Sequence, residues 1–183
     1  MIYVGGHVMD LNKYIAVING YPKEGISFKD VTPLLQNPEA FNYAIDELVK
    51  FVKEVKADVV IGPEARGFIF GAPVAAKANI GFVPVRKPNK LPRETISYTY
   101  KLEYGNDTLC MHKDAIKKGA RVVIIDDLVA IGGTINAVMH MVEELGGITC
   151  GVGCVIALDG LAGIKEIPNK CPFKALLTLS DEE

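Results

Sequence analysis

The sequence predicts an α/β protein with a mostly parallel central sheet flanked by helices. Three observations carry that prediction. Short runs of β-branched apolar residues alternate with stretches of helical period, the signature of strand–helix–strand units joined by crossovers. The strand runs, such as Val122-Val123-Ile124-Ile125, are continuously apolar, as strands buried on both faces must be. Glycine-rich turns follow the strand candidates where ligand-binding edges of such sheets lie, as in Ala130-Ile131-Gly132-Gly133-Thr134. At 183 residues the chain is expected to form one domain spanning 1–183.

The elements follow in order. Residues 1–8 are expected to be a disordered or non-native extension, with Met9 beginning the regular stretch. Leu11 to Ile18 has loose helical spacing that Tyr21-Pro22 stops, and Lys23 to Val31 has turn and strand character. Pro38 to Val55 places Phe41, Ala44, Ile45, Leu48, Val49 and Val52 on one helical face. Asp58 to Ile61 is a short buried strand, followed by the loop Gly62 to Gly67, a helix from Phe68 to Ala78 and a strand from Phe82 to Arg86. Within the polar region that comes next, Ile96, Tyr98, Tyr100, Leu102 and Tyr104 alternate strictly, which predicts a half-buried hairpin arm. Leu109 to His112 continues it and Asp114 to Gly119 connects to the strand of Val122–Ile125. A helix over Thr134 to Leu145, a strand over Gly151 to Leu158 and a tail strand near Lys174 to Leu179 complete the pass.

Composition excludes several function classes. A net charge of −2 gives no electrostatic basis for non-specific nucleic-acid or membrane binding. No apolar run is long enough to span a bilayer, and MIYVGGHVMD lacks a basic region followed by an apolar core, so a cytoplasmic location is expected. The four cysteines lack zinc-ligand spacing and disulfide-scaffold density; Cys150 and Cys154 read as small core residues. The sequon Asn106-Asp107-Thr108 is a chance match, and no GxxxxGK[ST] loop is present. Gly151-Val152-Gly153 lacks the third glycine of a dinucleotide fingerprint and reads as core.

The informative stretch is RVVIIDDLVAIGGTINA, Arg121 to Ala137. A buried strand runs into Asp126 and Asp127, then into a small-residue turn that opens a helix. Amides at a helix N-terminus attract anions and glycine lets a phosphate approach closely, while carboxylates suit ribose hydroxyls or magnesium. The segment predicts a site for a phosphorylated sugar. Adjacent strand residues point to opposite faces, so at most one of the two carboxylates points straight at a ligand.

VVIIDDLVAIGGT resembles the 5-phosphoribosyl 1-pyrophosphate (PRPP) signature of type I phosphoribosyltransferases. YPKEGISFKDVTPLL, GPEARGFIFGAPVA and VPVRKPNKLPRETISYTYKLEYG are similar, in order and spacing, to the adenine phosphoribosyltransferases of that family. The match spans Met9 to about Gly163. The resemblance implies the type I phosphoribosyltransferase fold, a homodimer, and magnesium-dependent transfer of ribose 5-phosphate from PRPP to adenine. Ala130, Ile131, Gly132, Gly133 and Thr134 would cradle the 5-phosphate, and Asp126 and Asp127 the ribose hydroxyls or metal-bound waters. Magnesium would be bound mainly through PRPP and water, with no dedicated protein ligands. Glu64, Ala65 and Arg66, with a cis Glu64–Ala65 bond, would meet the pyrophosphate together with Arg86, Lys87 and Lys90. Residues 88–106 would form a β-hairpin hood whose Glu103 exchanges a proton with the purine. Ile26, Ser27, Phe28 and Lys29 would bind adenine, Phe28 by stacking, with Leu158 covering the far side. His7, His112 and His140 fall in no matching motif.

Two positions depart from the family pattern. Ile131 stands where a threonine hydroxyl is usual; losing a hydrogen bond to a charged group costs roughly 1.5–3 kcal/mol, which predicts weakened PRPP affinity. Ala157 stands where many relatives carry glutamate. Two alternatives to an adenine enzyme stay open: a non-catalytic PRPP- or nucleotide-sensing regulator, and an enzyme for another purine base.

Overall fold

A computed structural model describes residues 8–101, 105–159 and 167–180. The first residues of the expected extension and the hood residues Leu102, Glu103 and Tyr104 lie outside the described residues. In chain order the elements are β1 (Ala16–Asn19), β2 (Ser27–Asp30), α1 (Thr32–Gln36), α2 (Pro38–Glu54), β3 (Val59–Pro63), α3 (Gly67–Ala78) and β4 (Gly81–Val85). They continue with β5 (Thr95–Lys101), β6 (Asn106–His112), β7 (Arg121–Val129), α4 (Gly133–Glu144), β8 (Ile148–Asp159) and β9 (Phe173–Ser180).

The central sheet has five strands in the order β4-β3-β7-β8-β9. All four pairings are parallel, so every carboxyl end faces one edge. β7 shows why its sequence is apolar without a break. Val123 and Ile125 enter a core shared with α2 and α3, whereas Val122 and Ile124 enter a second core shared with α4 and the β5–β6 hairpin. The strand is buried on both faces and has no solvent side to mark with polar residues. β7 also runs past the four-residue apolar stretch to Val129, which puts Asp126 and Asp127 inside the strand's last turn of pleat rather than beyond its end.

α2 forms where its period and capping agree. The Asn37 side chain accepts the Ala40 N–H at 2.9 Å, Pro38 takes the first turn, and Ala44, Ile45, Leu48 and Val52 are buried. α3 lies close against the sheet because Gly71 faces Phe82. A Cβ at Gly71 would come within 2.8 Å of that ring.

The chain departs from the sequence reading at its N-terminal part, where the short helix α1 was not expected either. Leu11 to Ile18 is not a helix but a single 3-10 turn, Leu11–Tyr14, followed by β1. Ile15, Val17 and Ile18 are β-branched, and β1 gains a full antiparallel partner in β2, with Val17 opposite Lys29. The hairpin arm is also longer than its alternating stretch. β5 pairs with β6 from Thr95↔His112 to Lys101↔Asn106, so the second strand begins where the 88–106 hood was expected to end.

Candidate active site

The carboxyl ends of β3, β4, β7 and β8 bring most of the expected site residues to one sheet edge. The loop after β3 carries Glu64, Ala65 and Arg66 into α3, and its Glu64–Ala65 bond is cis. Glu64 is the hub between β3 and β4. It accepts the Lys87 N–H at 2.8 Å and two bonds from Arg86, from Nε and Nη2, at 3.2 Å each. Those bonds, Arg86 first, hold its carboxyl below the usual glutamate range. The Arg86 guanidinium also lies over the Phe68 ring at 5.9 Å and donates to the Lys90 carbonyl at 3.4 Å. Its charge is therefore already matched within the protein.

The acidic pair of β7 is arranged differently. Asp126 accepts the Asp127 N–H at 2.9 Å, and Asp127 is 3% exposed. Burial first, then the neighbouring Asp127 charge, pushes the Asp126 carboxyl well above the usual aspartate range. Burial also raises Asp127, opposed by the Arg66 guanidinium, whose Nε is 3.1 Å from Asp127 Oδ2. Among the described residues no aligned hydrogen bond reaches that buried Oδ2. A buried acceptor with spare capacity and two carboxylates held above their ordinary pKa suit a ligand that brings donors or positive charge.

Ala130 to Gly132 then turns the chain into α4. Gly132 takes the left-handed conformation at φ 77° and gives the helix no side-chain cap, so the first-turn amides are left to other partners. Ile131 is 58% exposed on this turn and fills no pocket of the fold. Thr134 follows one residue into the helix, and its hydroxyl is 3.1 Å from that of Tyr100.

The β5–β6 arm reaches this loop with residues the motifs did not single out. Tyr100 donates to Asp107 Oδ2 at 3.0 Å, and Asp107 pairs with Lys87 Nζ. Burial pushes the Asp107 carboxyl up, but the bonds from Lys87 and Tyr100 outweigh it and hold it below the ordinary range. Tyr98 stacks on His140 at 4.7 Å and 9°. In the sequence Asp107 stands only within a chance sequon. Its partners are 7 and 20 positions away, and only the alternation that includes Tyr100 hinted at a face turned toward α4.

The β1–β2 hairpin adds the remaining group. Phe28 meets Tyr21 edge-on at 5.2 Å and lies 5.5 Å from the Arg66 guanidinium, which brings the aromatic to the same edge. Lys29 is 2% exposed, with Nζ donating to Ser27 Oγ at 2.9 Å, and Ile26 is 43% exposed. β1 pairs one edge of β2, and no described strand pairs the other. Leu158 is buried at the carboxyl end of β8. Glu103 lies outside the described residues, as does His7.

The model of the phosphoribosyl transferase domain matches residues 30–175. An adenine phosphoribosyltransferase of Streptococcus thermophilus is 55% identical over 159 residues, which covers 87% of this chain and 92% of that protein. The chain belongs to the adenine phosphoribosyltransferase family. Among solved members, the enzyme of Thermoanaerobacter pseudethanolicus superposes with a TM-score of 0.88 at 49% identity, covering 92% of this chain and 97% of that one. The enzyme of Saccharomyces cerevisiae, solved with adenine and an imino-altritol bisphosphate, gives 0.84 at 38% identity over 91% and 96%. The family's fold is the one found here, a parallel five-stranded sheet with flanking helices.

Proposed function

We propose that the protein transfers the ribose 5-phosphate of PRPP to adenine, releasing AMP and pyrophosphate, in purine salvage. One observation carries the reading. An acidic pair, an uncapped glycine turn and an arginine-bearing loop share one sheet edge, in a chain 55% identical to an enzyme of that name. In this reading the amides of Ala130 to Gly133 and the Thr134 hydroxyl hold the 5-phosphate. Asp126 and Asp127 take the ribose hydroxyls, and Arg66, Arg86, Lys87 and Lys90 face the pyrophosphate, Arg86 while still tied to Glu64 and Lys87 after exchanging Asp107 for it. Glu64 and Ala65 contribute through the loop that Glu64 ties to β4. Phe28 stacks on adenine, the unpaired edge of β2 from Ile26 to Lys29 reads its polar rim, and Leu158 closes the far side. Glu103 is proposed as the group that exchanges a proton with the purine.

The reaction passes through positive charge at the ribose C1, so rate comes from holding both reactants in line and stabilising the departing pyrophosphate. Guanidinium and ammonium groups on the pyrophosphate side meet that need. No group of three or more acidic, His or Cys side chains among the described residues could cage a metal. Two carboxylates beside substrate phosphates nevertheless fit magnesium, which keeps its waters and binds chiefly through phosphates. Asp126 and Asp127 would hold it through water or ribose hydroxyls, and it would supply charge neutralisation on the pyrophosphate. A homodimer is part of the proposal. So is a cytoplasmic setting, supported by four buried cysteines that are all free thiols.

The test is purified protein with magnesium, PRPP and each purine base, following nucleotide and pyrophosphate. AMP formed only with adenine supports the proposal. Product from guanine or xanthine instead moves the assignment to another base. PRPP binding without any product assigns the chain to sensing.

A further inference from the structure

Tyr100 is attached to the phosphate loop from outside it. Its ring lies on the first turn of α4, where a Cβ at Gly133 would come within 3.2 Å of Cδ2 and Cε2. Glycine at that position is what lets the ring sit there. The phenol then bridges two partners, Asp107 Oδ2 at 3.0 Å and Thr134 Oγ1 at 3.1 Å.

Counting protons gives this bridge a direction. A phenol has one proton, and an ionised carboxylate only accepts. Asp107 is kept ionised by Lys87, whose ammonium pairs with the same Oδ2, while its Oδ1 accepts the Thr108 N–H at 2.8 Å. The Tyr100 proton therefore goes to Asp107. The Thr134 contact must then run the other way, with the Thr134 hydroxyl donating to Tyr100. A threonine hydroxyl also has a single proton, so while this chain stands Thr134 has none to give a phosphate.

We infer that Tyr100 is a positioning residue that tunes phosphate affinity by competing for the one hydroxyl proton Thr134 can offer. The inference rests on the proposed reading of the Ala130–Thr134 loop as a phosphate site. A ligand phosphate has to draw the Thr134 proton away from the phenol, and the relay Thr134→Tyr100→Asp107 sets how strongly it is held, because donors in a chain polarise one another. The arm that carries Tyr100 is seated independently by the Tyr98–His140 stack, so the competition does not depend on the arm leaving α4.

The test uses ribose 5-phosphate or AMP, which probe the phosphate loop without engaging the pyrophosphate side and Lys87. Calorimetry on Tyr100→Phe, which keeps the ring over Gly133, is expected to show about fivefold to tenfold tighter binding. In a Thr134→Val background the same Tyr100→Phe change is expected to do nothing, and in Thr134→Ser, which keeps a hydroxyl, the gain is expected to return. A merely structural role for the phenol predicts the opposite sign, with weaker binding in every background. Unchanged or weaker binding in Tyr100→Phe overturns the inference, as does a gain that survives Thr134→Val. Absence of ribose 5-phosphate and AMP binding in the unaltered protein would remove the phosphate-site reading itself, and this inference with it.

Discussion

Two carboxylate centres lie on the same sheet edge and are solvated in opposite ways. Glu64, at the end of β3, accepts three hydrogen bonds from Arg86 and Lys87, and its pKa is lowered. Asp127, buried, and Asp126, partly buried, adjoin on β7, and both pKa values are raised. The first centre is satisfied by its own chain and ties two strand ends together. The second keeps capacity that the fold does not use. The first centre is a rigid frame that holds charge in place, and in the proposed reading the second offers its open Asp127 Oδ2 to the ligand.

The largest effect is expected at β7. Asp127→Asn is expected to lower kcat/KM for PRPP about a hundredfold or more, on the order of 3 kcal/mol of transition-state stabilisation, measured by steady-state kinetics. A loss under threefold would make the pair structural. For Glu64→Gln the expected cost falls on stability instead, about 1–2 kcal/mol in urea unfolding, because a charge-assisted fork becomes a neutral one at a partly exposed site. The two centres should also differ in pH dependence. Glu64 has a depressed folded pKa, so its contribution is present above the unfolded pKa and lost as pH falls through the folded one.

Asp126 has a raised folded pKa, so the folded state binds the proton more readily and stability declines as pH rises from the unfolded pKa to the folded one. Asp126→Asn should therefore stabilise the ligand-free protein near neutral pH by about 1 kcal/mol while impairing turnover, and thermal melting checks the sign. Ile131→Thr sharpens the same picture within the loop, where the exposed isoleucine supplies no hydroxyl. PRPP is expected to bind about tenfold more tightly, as one hydrogen bond to a charged group would give; equal affinity would show that the amides and Thr134 already suffice. The smallest effect belongs to the Arg93–Asp114 pair, with side chains 59% and 66% exposed. Arg93→Ala should change stability by less than about 0.5 kcal/mol, and a larger change would mean that the base of the hairpin is more tightly coupled to the core than its exposure implies.

Legibility of the site followed the range of the interactions that build it. The β7 strand, its acidic pair and the glycine turn are contiguous, and their period and turn chemistry were readable locally. So was α2, whose Asn37 cap and Pro38 start adjoin the helix they begin. Leu11 to Ile18 has a spacing that suits one helical turn, but a partner strand at Ser27–Asp30 decides the rest. Asp107 was invisible as a functional residue, since its lysine is 20 positions away and its tyrosine lies across a hairpin.

By itself the amino-acid sequence determined which segments are strands buried on two faces, where the chain turns with glycine, and which residue types stand at each strand end. Those are matters of period, propensity and local sterics. Only the tertiary structure decided which charges neutralise one another. It spent Arg86 on Glu64, set Arg66 against Asp127 Oδ2 without an aligned hydrogen bond, and placed Tyr100 between Asp107 and Thr134. Pairings of that kind depend on strand order and register, which bring distant residues within hydrogen-bonding distance, and no local pattern encodes them.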